Sequence, residues 1–328
     1  MDGQPRAVHG RGRDVIGAVG CPARDPVRRL AAPRRRGDRV SVADAEVPRG
    51  YREVKGPTAL GDDPRRLFRL AHTLAATDFK LKFFGSFLGY LWQLMNPLML
   101  FGVLFVVFSF ALKLDAGVKY YPVALLLGIV LFSFFSEATT AAVRSLMARE
   151  SLVRKVDFPR LAVPMASVMT STFNLALNLV PVLVFLLISG GRPRLAWLGF
   201  LVVIAVLVLF AFGMAMILSV AFVKFRDIEP IWNVVLQLLF YSSGVFFTVD
   251  TIAGRAHGRL LVDIFFCNPF AALLATARNL LVDPSWQAPT QSLSSGWLLL
   301  IPAGIIIASL AFGFLMFRAM APRVAEDL

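Results

Sequence analysis

Long apolar runs separated by short charged segments make up most of the chain from residue 87 onwards. Apolar runs longer than about 18 residues are typical of helices that cross a bilayer. The pattern therefore predicts an all-α integral membrane protein with a six-span domain over residues 87–320. The predicted transmembrane helices are approximately 87–112, 121–142, 161–188, 196–223, 228–249 and 297–317.

The segment before the first span has a helical period. Apolar residues recur at spacings of three and four along residues 64–84, while Arg65, Arg69 and Lys80 fall largely on the other face. A basic amphipathic helix of this kind suits the cytoplasmic surface of a membrane. The same stripe also fits a soluble helix packed against a partner. We predict an amphipathic interface helix over residues 63–86.

The segment between the fifth and sixth spans, residues 250–296, is harder to assign. Its apolar run is interrupted by Asp263, Arg278 and the dipeptide Asn268-Pro269. Asn followed by Pro is a typical N-cap and first-turn signal of a helix. The sequence therefore favours two short re-entrant helices over a seventh span.

A basic segment, residues 144–160, orients the predicted spans. A short loop rich in Lys and Arg stays in the cytoplasm, because its translocation is disfavoured. This assignment puts both termini in the cytosol, with residues 321–328 as a short tail. It also exposes a charged segment to which a cytosolic partner could bind. The cations of this segment are Arg144, Arg149, Arg154, Lys155 and Arg160.

Composition supports a membrane protein: 57% of the residues are hydrophobic and 17% are charged, against about 45–50% and 25% in soluble domains. The net charge of +13 does not indicate a nucleic-acid partner, because most cations flank apolar runs or lie in the N-terminal segment. Those positions suit membrane lipid. Residues 1–62, rich in Arg, Pro and Gly, are predicted to be a disordered basic tail. They are alternatively an extension from too early a start codon, or a basic arm that binds anionic lipid or a partner.

The sequence offers no motif for catalysis or metal binding. It has no Gly-Lys dipeptide, which excludes the usual phosphate-binding loop, and its three histidines are scattered. Cys21 and Cys267 indicate no disulfide framework. Glu137 is the only acid in the interior of a predicted span, since Glu229 lies in the first turn of the fifth. It is either functional or a structural group that pairs or snorkels near the inner end of its helix.

Seven short stretches of the chain form a recognisable set: Asp78–Lys80, Leu88–Trp92, Asn96–Leu98, Phe134–Glu137, Leu152–Arg160, Lys224–Ile228 and Asn268-Pro269. Together they resemble the membrane subunit of type-2 ABC transporters that export cell-surface polysaccharides such as O-antigen, capsule, teichoic acid and galactan. The resemblance covers about residues 64–320 and departs at Ser243-Gly244, where many members have Ser-Pro.

The resemblance implies a multi-pass permease subunit in the cytoplasmic membrane that pairs with a separate ABC ATPase subunit, two copies of each. Its substrate would be a lipid-linked polysaccharide. ATP and Mg would be bound by the partner, and this chain would bind no cofactor. We expect residues 149–160 to fold as a short coupling helix. The implied ATPase-coupling residues are Arg149, Arg154, Lys155, Asp157, Phe158, Pro159, Arg160, Arg226 and Asp227.

Aromatic rings suit a sliding glycan, since the C–H-rich faces of sugars stack on them. Phe is, however, also a common packing and lipid-facing residue in membrane helices. Lys80 and Lys82 are the expected contacts for the pyrophosphate of a lipid-linked substrate. The expected pathway residues are Trp92, Phe132, Phe135, Glu137, Tyr241 and Phe246.

Two alternatives remain open at this point. One is an ABC permease of the same fold that exports drugs or lipids. The other is a secondary transporter or a membrane glycosyltransferase. Carriers coupled to ions usually place ionisable groups near the bilayer midplane, and a glycosyltransferase needs paired acids. The interior of the predicted spans here contains only one acid, Glu137.

Overall fold

The computed structural model describes residues 64–83, 87–111, 120–153, 158–247, 249 and 258–327. Within these ranges the chain is helical and contains no strand. Five helices are long and apolar enough to cross a membrane, or six if one bent pair counts as a single span. The predicted all-α integral membrane fold is therefore confirmed. The predicted N-terminal tail, residues 1–62, lies outside the described residues.

Most helices begin and end close to the predicted bounds. A π-helical turn, Val106–Ala111, continues the second helix, and a 3₁₀ turn, Gly296–Leu299, precedes the last one. The helices are α1 (Pro64–Phe83), α2 (Phe87–Phe105), α3 (Tyr121–Val143), α4 (Ser145–Ala148), α5 (Glu150–Val153), α6 (Ala162–Ile188), α7 (Ala196–Lys224), α8 (Ile228–Ser242), α9 (Gly258–Cys267), α10 (Pro269–Leu281), α11 (Pro289–Ser292) and α12 (Leu300–Asp327).

The predicted fifth span, 228–249, is too long. Helix α8 has 15 residues and ends at Ser242, so it rises about 22 Å and falls short of a hydrocarbon core about 30 Å thick. The helix stops because the chain turns at Gly244, whose φ is +68°. Residues other than glycine rarely adopt this conformation. Proline, with φ near −65°, is excluded from it. The proline that many family members have at this position would therefore not fit the turn at Gly244.

The predicted break at Asn268-Pro269 is confirmed. Helices α9 and α10 meet there at an angle of 101°. Asn268 is the N-cap of α10, and its side chain accepts a hydrogen bond of 3.0 Å from the backbone N–H of Phe270. Pro269 occupies the first turn, where its missing N–H leaves no donor unsatisfied.

Helix α3 lies at the centre of the bundle. It packs against α6 and α7, and most of its residues between Tyr121 and Val143 are buried. Helix α8 contacts α3 through Trp232, whose indole N–H donates to the Thr139 hydroxyl at 3.0 Å. Helix α2 is mostly exposed by comparison. The core of the protein therefore surrounds α3, and α2 covers only part of it.

Helix α1 forms where it is predicted and packs on α6. The side chains that it buries are Leu67, Ala71 and Ala75, which are one helical turn apart. Small residues at two of these positions allow α1 to lie close to α6. Its location along the membrane surface stays a prediction.

Helices α7 and α12 make the most extensive helix pair in the described chain, and glycines allow their close approach. A Cβ atom on Gly313 would lie 2.7 Å from the carbonyl oxygen of Gly213. A Cβ on Gly213 would lie 2.8 Å from the hydroxyl of Ser309 and 2.9 Å from the backbone nitrogen of Leu310. Such contacts between backbones are typical of membrane helices that pair through small residues.

We expect Gly313→Ala to destabilise the protein by about 1–3 kcal/mol, because the added methyl group overlaps the α7 backbone and separates the two helices. The matched control is Gly304→Ala on the same helix, where a Cβ meets nothing within 4 Å. The measurement is the thermal midpoint of the detergent-solubilised protein. Equal midpoints for the two variants would contradict this account of the α7–α12 contact.

Candidate functional site

An open cavity of about 1030 Å³ lies between α2, α3, α6 and α8, and Lys82 of α1 reaches it. Amides, hydroxyls and one ion pair line much of it, although the surrounding helices are strongly apolar. Polar groups inside membrane helices are costly and are usually functional. The polar lining residues are Lys82, Gln93, Asn96, Ser133, Ser136, Glu137, Thr140, Asn178, Asn233, Gln237 and Tyr241.

The amide side chains are placed by helical periodicity. Gln93 and Asn96 are one turn apart on α2, and Asn233 and Gln237 are one turn apart on α8. Residues three or four positions apart lie on the same face of a helix. Each helix therefore presents a polar pair to the cavity while its remaining positions stay apolar.

Glu137 lies on the cavity wall and is paired. Its Oε1 atom accepts from Lys82 Nζ at 2.9 Å and from Asn174 Nδ2 at 2.6 Å. Arg144, two turns further along, donates instead to Glu229 Oε2 at 2.5 Å. Glu137 therefore connects α3 to both α1 and α6. Lys82, expected to contact a substrate pyrophosphate, is held in this ion pair, while Lys80 is exposed.

Only some of the predicted pathway rings reach the cavity. Phe132 and Tyr241 line it together with Glu137. Phe135 is 1% exposed and stacks on Phe210 with ring centroids 5.0 Å apart, so it belongs to the core. Trp92 is 69% exposed and is not part of the lining.

A small group of rings lies beyond the cavity. Phe246 stacks on Phe108 with ring centroids 4.8 Å apart and contacts Phe240 and Tyr241 edge-on or tilted. This group continues the aromatic side of the cavity toward the end of α8. Phe246 is therefore adjacent to the cavity without lining it.

The polar lining was missed by reasoning from the sequence, which considered aromatic rings and acids. The signal was available in the apolar runs themselves. Pairs of Asn or Gln recur at one-turn spacing on three helices, as Gln93/Asn96, Asn174/Asn178 and Asn233/Gln237. A pair of amides on one face of a membrane helix indicates a shared polar surface.

A buried arginine fixes the end of the bundle where α3 begins and α8 ends. Arg278 of α10 is 5% exposed, and its guanidinium donates to the carbonyls of Ala124 (3.2 Å), Gly244 (2.8 Å) and Val245 (2.5 Å). The guanidinium also lies over the ring of Trp286 at 5.1 Å. One side chain therefore joins α3, α10 and the turn after α8.

Two further hydrogen bonds reinforce the same end. The Tyr121 hydroxyl donates to the Phe246 carbonyl at 2.7 Å. Asn268 Nδ2 donates to the Ser243 hydroxyl at 3.1 Å. The Asn268–Ser243 hydrogen bond therefore links the corner between α9 and α10 to the end of α8.

The predicted coupling segment does not fold as one helix over 149–160. Among its described residues, only Glu150–Val153 are helical, as the single-turn helix α5, and Phe158 and Pro159 are not helical. Proline disfavours a helical conformation in the residue before it. Arg154, Lys155 and Asp157 lie outside the described residues.

The remaining coupling candidates separate into buried and exposed residues. Arg149 forms an ion pair with Asp78 of α1. Pro159 and Arg160 are buried, Arg160 being 1% exposed, and burial lowers the pKa of the Arg160 guanidinium from its usual value. Arg226 and Asp227 are exposed.

A surface cavity of about 400 Å³ lies between α4 and the loop after α7. It is lined by Arg144, Met147, Ala148, Phe222 and Arg226. A concave apolar floor with two arginines at its edge suits an acidic or polar group of a docked protein. Arg226 therefore lies beside Arg144 of the basic segment, and its role as a secondary contact of the ATPase stays a prediction.

The long apolar helices indicate a multi-pass membrane protein, and the cavity gives this apolar bundle a polar inner surface. Residues 69–282 match the ABC-2 type transporter family, and the chain belongs to that family. The resemblance stated from the sequence is thereby confirmed. The chain is a transport component of an ABC-2 system.

Three relatives of this chain are named as O-antigen export permeases. It is 28% identical over 263 residues to the O-antigen export system permease protein RfbA of Klebsiella pneumoniae, an alignment that covers 80% of this chain and 96% of the relative. A second protein of that name and organism is 29% identical over 218 residues, or 66% and 82% of the two chains. The RfbA of Myxococcus xanthus is 27% identical over 204 residues, or 62% and 76%.

Proposed function

We propose that this chain is the membrane permease subunit of an ABC transporter that exports a cell-surface polysaccharide. The observation that carries the proposal is the cavity lined by amides, hydroxyls and the rings of Phe132 and Tyr241 within an apolar bundle. Hydroxyl-rich chains exchange hydrogen bonds with such a surface and stack on its rings. The names of the relatives support the same substrate class.

The driving force comes from a separate ATPase subunit, which the family implies. ATP and Mg would bind to that subunit, and this chain would bind no cofactor. The surface cavity beside Arg144 and Arg226 is the proposed docking position for the ATPase. The proposal therefore assigns the chain to the cytoplasmic membrane. That side of the bundle faces the cytoplasm, and both termini are proposed to lie there as well.

A second copy of the chain would complete the pathway. Helices α2 and α8 both line the open cavity, and both expose apolar side chains, including Met99, Val103, Val234 and Leu238. Symmetric association is the usual way for one protein surface to pair with itself. A second copy that covers these faces would enclose the two cavities in a single pathway.

The substrate is proposed to reach the cavity as a lipid-linked glycan in the cytoplasmic leaflet. Lys80 is exposed near the end of α1, and Lys82 is paired at the cavity. The exposed ammonium of Lys80 is therefore the better placed of the two to meet a pyrophosphate. Export of a drug or lipid by the same fold is the alternative, and the polar lining favours the glycan.

Depletion of the protein is expected to make lipid-linked polysaccharide accumulate on the cytoplasmic leaflet, because synthesis continues while export stops. The measurement is the surface and internal glycan of depleted cells, with chain re-expression as the control. An unchanged glycan distribution together with altered tolerance to amphipathic drugs would overturn the proposal and favour the alternative.

A further inference from the structure

The charged groups of the cavity cancel one another. Among the described residues that line it, Lys82 and Glu137 are the charged ones, and their side chains are joined at 2.9 Å. Asn174 adds a hydrogen bond of 2.6 Å to the same carboxylate oxygen. The formal charges of the lining therefore sum to zero, and the one cation already lies opposite a carboxylate.

A surface of this kind does not suit a polyanion. A chain with a phosphate or carboxylate on each unit would have to be desolvated beside Glu137, and only Lys82 could offset each charge. Basic side chains would be expected along such a pathway, as they are in sites that bind phosphate or carboxylate. The described lining has none besides Lys82.

The amide pairs extend this surface along the cavity. Gln93 and Asn96 on α2 face the same cavity as Asn233 and Gln237 on α8. Each amide offers both a donor and an acceptor, so it can bond a hydroxyl in either orientation. Successive amides one turn apart are also about 5 Å apart along the helix axis, close to the length of one sugar ring. A polymer could thus pass its hydrogen bonds from one amide to the next as it moves.

We propose that the cavity selects an uncharged, hydroxyl-rich polymer and disfavours a polyanionic one. This inference rests on the proposed function and narrows its substrate class. The amides supply hydrogen bonds of either polarity, the rings of Phe132 and Tyr241 supply stacking faces, and the Lys82–Glu137 pair keeps the lining neutral. Specificity arises because a repeated charge would find no repeated counter-charge along the path.

The test uses single charges of either sign, introduced in the full transporter with its ATPase. Lys82→Gln leaves the cavity with an excess negative charge, and Glu137→Gln leaves it with an excess positive one. Gln237→Glu and Gln237→Lys repeat the comparison at an exposed position of α8, where folding of the bundle is less affected. The measurement is the rate at which labelled glycan reaches the cell surface, per transporter assembled with the ATPase.

We expect the two signs to slow export by similar factors, about fivefold for each charge, because an uncharged polymer offers no partner to either. Gln237→Met, which removes the amide without adding charge, should slow export by a comparable or smaller factor. Sign-dependent behaviour would overturn the inference: export that is unimpaired in Gln237→Lys and Glu137→Gln but lost in Gln237→Glu and Lys82→Gln indicates a polyanion.

The two proposals fail in distinguishable ways. If depletion of the chain leaves surface glycan unchanged, the proposed function fails. If depletion stops glycan export and the charge variants respond according to sign, the proposed function stands and the neutral substrate class is wrong. The number of complexes recovered with the ATPase separates slow export from poor assembly in every variant.

Discussion

Replacing Arg278 with methionine is expected to lower the stability of the protein by about 3–6 kcal/mol. The guanidinium donates to the carbonyls of Ala124, Gly244 and Val245, and a buried acceptor that loses its donor costs about 1–3 kcal/mol. Methionine fills a similar space but has no donor. The contact with Trp286 is lost as well. The measurement is the thermal or denaturant-induced unfolding of the solubilised protein.

The same substitution at an exposed arginine provides the control. Arg259 lies on α9 and is exposed, so Arg259→Met should change stability by less than about 0.5 kcal/mol. Arg278→Lys keeps the charge, but one ammonium cannot reproduce the fork of donors, and an intermediate loss is expected. If Arg278→Met unfolds like the wild-type protein, the hydrogen bonds of this arginine do not hold the end of the bundle together.

Arg226→Glu is expected to reduce transport at least about tenfold while the chain still inserts and folds. Arg226 is exposed at the edge of the surface cavity that we assign to the ATPase. A reversed charge at such a contact places like charges together and costs several kcal/mol. The measurements are glycan export in cells and co-purification of the ATPase with the permease.

Arg192→Glu is the matched control for this prediction. Arg192 is also exposed, but it precedes the start of α7, whereas Arg226 follows the end of that helix. The two arginines therefore lie at opposite ends of the bundle, and only one can contact a cytosolic subunit. Loss of transport in both variants, or in neither, would argue against docking at the Arg226 cavity.

The helices could largely be predicted from the sequence, because long apolar runs bounded by charges have few alternatives in a membrane. The error at the fifth span has a local cause. Apolar residues continue to Val249, but Gly244 turns the chain and Arg278 bonds the carbonyls that the shortened helix leaves. The hydrophobic pattern contains neither the left-handed backbone nor a hydrogen-bond partner more than thirty positions away.

The candidate site was less predictable than the fold. Glu137 was singled out from the sequence, but its partners Lys82 and Asn174 come from α1 and α6, and only the packing of three helices brings them together. Phe135 shows the opposite case, because a ring that could have faced a pathway is enclosed by the core. Residue type indicates what a side chain can do, and the rotation of its helix decides where it does so.

The position of α3 has a consequence for how the protein moves. Of its spanning segment 78% is buried, against 6% for α2, so its backbone amides are shielded from lipid and water alike. We expect the slowest hydrogen exchange in α3, at the rate of global unfolding, and faster exchange in α2 and α8 through local opening. The wall of the cavity that α3 forms is then expected to stay fixed. Widening and narrowing of the pathway during a transport cycle would fall mainly to α2, because α8 is held to α3 by the Trp232–Thr139 hydrogen bond.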